Sequence, residues 1–72
     1  MPIIHVEMLK GRSVEQKRQL AEAITKAMVE IVGARSEGTM VVFHELKKEN
    51  LARGGHLYLS HEEEKEAAEE AK

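Results

Sequence analysis

Leu9-Lys10-Gly11-Arg12-Ser13-Val14-Glu15-Gln16-Lys17 is the stretch in which the chain changes its periodicity. Before it, Pro2-Ile3-Ile4-His5-Val6-Glu7-Met8-Leu9 sets Ile4, Val6 and Met8 against Ile3, His5, Glu7 and Leu9, the alternation of a strand with one wholly apolar face. After it, Leu20, Ile24, Ala27, Met28 and Ile31 recur at the spacing of one helical stripe. Inside the stretch, Lys10-Gly11-Arg12 breaks the strand, and Ser13 with Gln16 forms a capping-box pattern. In such a box the serine hydroxyl accepts from the third helical amide while the glutamine side chain reaches back to the serine amide. The spacing predicts a helix over 14–32, stopped by Gly33 where a left-handed residue is wanted.

Beyond the polar connection Ala34 to Gly38, Thr39-Met40-Val41-Val42-Phe43-His44-Glu45-Leu46 is a second strand. A right-handed crossover then makes the two strands parallel, with the helix on one face and the other face uncovered. Leu51 and Leu57-Tyr58-Leu59 flank Gly54-Gly55, the signature of a tight hairpin turn. The expected fold is α+β: a single β-α-β unit with parallel strands plus a short C-terminal hairpin. Ser60-His61-Glu62-Glu63 repeats the capping pattern and opens residues 61–72, where six Glu face two Lys. This segment reads as an acidic helical or disordered tail outside the domain of residues 1–60.

At 72 residues the chain buries only about 60% of its unfolded surface, against ordering costs of about 1.5 kcal/mol per residue. Disulfides, a metal or self-association supplement such cores. The absence of Cys removes disulfides, thiolate metal sites and thiol nucleophiles, which leaves a homo-oligomer as the expectation. The net charge of -2 conceals a mildly basic body and an acidic tail. Dispersed basic residues with one Tyr, one Phe and no Trp argue against nucleic acid, which needs clustered cations and stacking platforms. No apolar run reaches the roughly 20 residues of a membrane span, and no signal-peptide pattern opens the chain; the expected location is cytoplasmic.

His5, His44, His56 and His61 lack the spacing that places two metal ligands on one helical face, so no metal is expected. With no Asp, and with Ser13, Ser36 and Ser60 outside any nucleophile-elbow pattern, no serine triad can be assembled. Pro2 is more informative. Removal of the initiator Met, expected before a small residue, leaves a secondary amine at the N-terminus. Ordinary α-amino groups titrate at about 7.7–8.0; burial in an apolar pocket or a nearby arginine lowers that value toward what a general base requires. A retained Met1 would instead make that nitrogen a non-basic amide.

Pro2-Ile3-Ile4, then Leu9 to Lys17 opening an amphipathic helix, then Val41-Val42-Phe43-His44-Glu45-Leu46, then Gly54-Gly55, together resemble the 4-oxalocrotonate tautomerase family, the short-chain branch of the tautomerase superfamily. The resemblance spans residues 2 to about 60 without a gap. It implies a tautomerase-like domain, a homo-oligomer of hexameric size built from dimers, and a cofactor-independent enol–keto proton transfer in a 2-hydroxydienoate or 2-oxo acid. It casts Pro2 as general base and Arg12 as the guanidinium that binds a substrate carboxylate. Ten residues of strand at about 3.3 Å each separate the two by roughly 30 Å in one chain, so a shared substrate requires Arg12 of another subunit.

Two positions depart from the family pattern. Met40 stands where the prototype has a second arginine that polarises the 2-keto group, and losing such a donor costs about 2.7–4 kcal/mol if nothing replaces it. Leu51 stands where the prototype has a pocket aromatic. Arg35 and Arg53 are the candidates to supply the missing charge, with Arg53 favoured by its place in the hairpin. The same proline could instead serve a hydratase, dehalogenase or decarboxylase, with Glu7, Glu45 and His44 as candidates to activate water, or could stand silent in a structural oligomer.

Overall fold

The computed structural model describes residues 1–70 of the chain. Strand β1 (Ile3–Leu9) leads into helix α1 (Val14–Ala27), and strand β2 (Met40–Leu46) follows. The capping box is formed: the Gln16 amide donates to Ser13 Oγ at 3.1 Å, and the Ser13 amide donates to Gln16 Oε1 at 2.9 Å. Two orphan donors of the first helical turn are thereby satisfied. The strands are parallel, paired from Ile3 with Met40 through Leu9 with Leu46. Backbone bonds of 2.9 Å from Met40 N to Pro2 O and from Lys10 N to Leu46 O extend the ladder past both ends.

The helical segment ends differently from its expected form. α-Helical geometry stops at Ala27, and Met28–Val32 is a wider π turn. The Met28 carbonyl accepts from both the Gly33 and Ala34 amides, and Gly33 takes the left-handed conformation expected of it, with φ 77. An extra residue in the last turn rotates the side chains after Ala27 about the helix axis, so Ile31 is 81% exposed instead of completing the stripe. The half-buried positions of α1 are Lys17, Ala21, Ile24 and Thr25, followed by Met28. The sheet-facing stripe is therefore centred beside the one read from the apolar residues alone. Lys17 belongs to it because its ammonium meets Glu45 of β2 at 2.6 Å, with both side chains about one quarter exposed.

β1 alternates between exposed and half-buried residues from Ile3 to Met8, which sets Ile4, Val6 and Met8 under α1. Their register partners Val41, Phe43 and Glu45 share that side. Ile3, His5, Glu7 and Leu9 lie on the opposite side with Met40, Val42, His44 and Leu46. After β2, the 3-10 turn Lys48–Asn50 leads to a hairpin of β3 (Ala52–Arg53) and β4 (His56–Leu57). Its two central residues, Gly54 and Gly55, have φ 60 and 84, a positive pair that non-glycine residues resist. The acidic segment forms helix α2 (His61–Glu70), opened by reciprocal bonds of 3.1 Å between Ser60 and Glu63; residues 71 and 72 lie outside the described part.

No hydrophobic residue among those described is buried. A compact 8.1 kDa protein exposes about 4,500 Å², yet this chain exposes 5914 Å². The surplus exceeds the roughly 800 Å² that each partner loses in a standard interface.

Candidate active site

Parallel pairing gathers the amino ends of both strands at one edge and their carboxyl ends at the other. At the amino edge, Pro2 is half-buried and its carbonyl accepts from the Met40 amide. The turn Ser36–Gly38 packs against the same place: a Cβ on Gly38 would lie 3.3 Å from the Met1 nitrogen. That turn is pinned by Arg35, whose carbonyl accepts from Gly38 N at 3.1 Å and from Thr39 Oγ1 at 2.7 Å. The Arg35 side chain is engaged with Glu37 through contacts of 2.9 and 3.1 Å. Met40 is 54% exposed, an apolar side chain beside Pro2.

Arg12, Leu51 and Arg53 belong to the carboxyl edge. Arg12 stands between Gly11, at φ 126, and the N-cap Ser13, so a positive-φ joint and a helix start fix its backbone. It borders a shallow cleft of about 220 Å³ with Met8, Gln16, Lys17 and Leu20. Leu51 ends the turn after β2 and is half-buried, its carbonyl accepting from the Tyr58 amide at 2.9 Å. Arg53 opens the glycine turn. Among the described residues neither Arg12 nor Arg53 makes an ion pair, whereas Arg18 and Arg35 do. Of these two guanidiniums, Arg12 follows the carboxyl end of β1 and Arg53 lies in the hairpin after β2, while the proline holds the amino edge. β1 alone spans about 20 Å, so one chain does not bring Pro2 and Arg12 together.

The histidines hold a feature that sequence spacing missed. His5 Nδ1 and His44 Nε2 are 2.9 Å apart, with the rings stacked at 5.2 Å and an angle of 15°. The pair sits on the sheet face away from α1. Side-chain parity within each strand was available as a signal; the register between strands 39 residues apart was not.

A small β-α-β unit with Pro2 at the amino edge of its parallel strands and Arg12 just past the carboxyl end of β1 agrees with the class of small tautomerase-like enzymes that the sequence resembles. The comparisons agree: the family model described as tautomerase enzyme matches residues 2–59, and the chain belongs to that family and is a tautomerase, an isomerase. It is 46% identical over 55 residues to the 2-hydroxymuconate tautomerase of Comamonas testosteroni, covering 76% of this chain and 87% of that one. With the 2-hydroxymuconate tautomerase of Bacillus subtilis the identity is 44%, over 76% and 89% of the two chains. Among solved structures, a 4-oxalocrotonate tautomerase isozyme from Methylibium petroleiphilum superposes with TM-score 0.77 at 34% identity, over 93% of this chain and 98% of that one.

Proposed function

We propose that the chain catalyses the 1,3- or 1,5-shift of a proton in a 2-hydroxydienoate or related 2-oxo acid, with Pro2 as the general base. The Pro2 nitrogen takes the enol proton and returns it to carbon, so atoms balance without a cofactor. Arg12 of a neighbouring subunit holds a substrate carboxylate by charge-assisted hydrogen bonds. Leu51 supplies an apolar wall, Met40 makes the proline end apolar, and Arg53 is the charge that stands in for the absent second arginine. Arg35 is less suited, being engaged by Glu37.

The observation that carries this reading is the place of Pro2, first residue of the family match and tied to β2 by the Met40 amide. The surplus exposed surface supports self-assembly, and a hexamer is the size the resemblance implies. The partners are then copies of this chain and a small carboxylate. No described helix is long and apolar enough to cross a membrane, and a cytoplasmic location is part of the proposal. Residues 1–60 are the catalytic domain and the tail stands outside the site.

Intact mass and ketonisation of a 2-hydroxydienoate, measured on one preparation, test it. Protein that has lost Met1 should be active, and protein in which Pro2 is still acylated should lose about 10²–10⁴-fold, the usual worth of general acid–base catalysis. Equal rates for both forms would defeat the role of Pro2.

A further inference from the structure

Gly11, Gly33, Gly54 and Gly55 hold positive φ and have open space where a Cβ would stand. Gly38 is the reverse case. Its φ is not positive, so other residues could adopt its backbone, yet a Cβ built on it would stand 3.3 Å from the Met1 nitrogen. That is inside the separation of about 3.5–4.0 Å at which non-bonded atoms attract best. Glycine in a helical turn costs more conformational entropy than alanine, so what this position gains is room.

The room lies at the base. Backbone bond lengths hold the Met1 nitrogen within about 4 Å of the Pro2 nitrogen. Met1 is joined to Pro2 by the bond whose place the free amine offers once Met1 is gone, so Met1 marks the approach to that amine. We infer that Gly38 determines specificity: its missing side chain lets the site take 2-hydroxydienoates and 2-oxo acids with an alkyl branch on the carbon that receives the proton. This assignment rests on the role of Pro2 proposed above.

The wall at Gly38 is backbone and firmly held. The Gly38 amide and Thr39 Oγ1 both donate to the Arg35 carbonyl, at 3.1 and 2.7 Å, and the Thr39 amide donates to the Ser36 carbonyl at 3.2 Å. Two residues on, the Met40 amide donates to the Pro2 carbonyl at 2.9 Å. The turn and the proline therefore belong to one short frame, and a side chain at position 38 intrudes on the approach. Met40, 54% exposed, is a flexible thioether that adapts to what it meets; Gly38 is the part that does not yield. A carbon taking a proton from Pro2 directs its own substituent into this space. Alkyl groups suit it, because Met40 is apolar and the nearby Arg35 is engaged by Glu37.

Wild-type and Gly38→Ala chains, each prepared with Pro2 as first residue and checked by intact mass, test this on a 2-hydroxydienoate and its analogues methylated at C3 or C5. Those are the carbons that a 1,3- or a 1,5-shift protonates, and the position of deuterium in product formed in D₂O tells which one receives the proton. For the analogue branched there, kcat/KM relative to the unbranched compound should fall by about 10- to 200-fold on Gly38→Ala, the range that one methylene commands in an apolar pocket. An unchanged ratio, or one that falls alike for both methyl positions, would overturn the inference. Calorimetric binding of 2-oxohexanoate and its 3-methyl and 5-methyl derivatives gives a readout without turnover. The wild type should bind the branched acids within about 10-fold of the parent; rejection beyond that would overturn the inference, also where Gly38→Ala fails to fold. A wild type that binds all three acids but turns over no dienoate would instead defeat the proposed function alone.

Discussion

The two ends of the β1–β2 sheet are made by the same pair of strands and differ in everything chemical. The amino end holds Pro2, Met40 and the Gly38 turn, with its arginine already engaged by Glu37. The carboxyl end leads on one strand to Arg12 and on the other to Leu51 and the hairpin of Arg53, and neither arginine makes an ion pair among the described residues. An apolar surrounding disfavours an ammonium and so favours a neutral amine; a free guanidinium attracts a carboxylate. Each end lacks what the other has. Parallel pairing enforces the separation, because it collects like ends of the strands.

The sharpest way to break this comparison is to mix defects. Pro2→Ala and Arg12→Ala chains, each weak alone, should regain activity when subunits exchange, since some sites then combine an intact proline with an intact arginine. Proven exchange with no recovery would mean that both groups serve from one chain. Arg12→Ala by itself should lower kcat/KM on a dicarboxylate by roughly 10- to 150-fold, from the 1.5–3 kcal/mol of hydrogen bonds to a charged group. The loss should shrink on a substrate lacking that carboxylate.

Changing the ends in kind sharpens the contrast. Met40→Arg should raise kcat on a 2-oxo acid by about 10-fold or more, approaching what an oxyanion donor supplies, and should make Arg53→Gln harmless; in the unaltered chain Arg53→Gln should cost activity. Equal effects of Arg53→Gln in both backgrounds would remove Arg53 from the charge role.

Two smaller effects test the frame that holds the ends apart. Glu45→Gln removes one partner of the half-buried pair with Lys17 and should cost about 1 kcal/mol, at the upper end of exposed pairs, read as a lower urea midpoint. At the tail, the Ser60 amide donating to Glu63 holds that carboxyl below its ordinary 4.5, helped by the Ser60 hydroxyl and by Lys48. A carboxyl lowered by folding stabilises above its unfolded value and ceases to do so as pH falls through the folded value. Helicity of α2 should therefore decline below about pH 4.5, and Glu63→Ala should remove that acid step from the circular dichroism. An unchanged acid step would remove the cap from the account.

Local chemistry was legible from end to end. Ser13 and Gln16 announced the start of α1, Gly33 its left-handed stop and Gly54-Gly55 the hairpin, because each acts through neighbours a few residues away. Pro2 was legible as a candidate from the secondary amine it would expose, Arg12 from the family resemblance, and their separation within one chain followed from strand length. What lay hidden depended on contacts between distant segments. Lys17 turned toward the sheet because Glu45 was there to receive it, and the π turn after Ala27 moved Ile31 out of the stripe. His5 and His44 met because the ladder aligned Glu7 with His44, a register that neither strand specifies alone.

The positions of Pro2 and Arg12 also bear on inheritance. Under the proposed shared site, a chain that gives its proline to one site and its arginine to another takes part in two catalytic centres at once. A copy defective at both ends would spoil two centres for each place it occupies. In a cell making sound and defective copies together, activity would fall as the square of the sound fraction, so such an allele would act dominantly although the protein it encodes merely lacks two side chains.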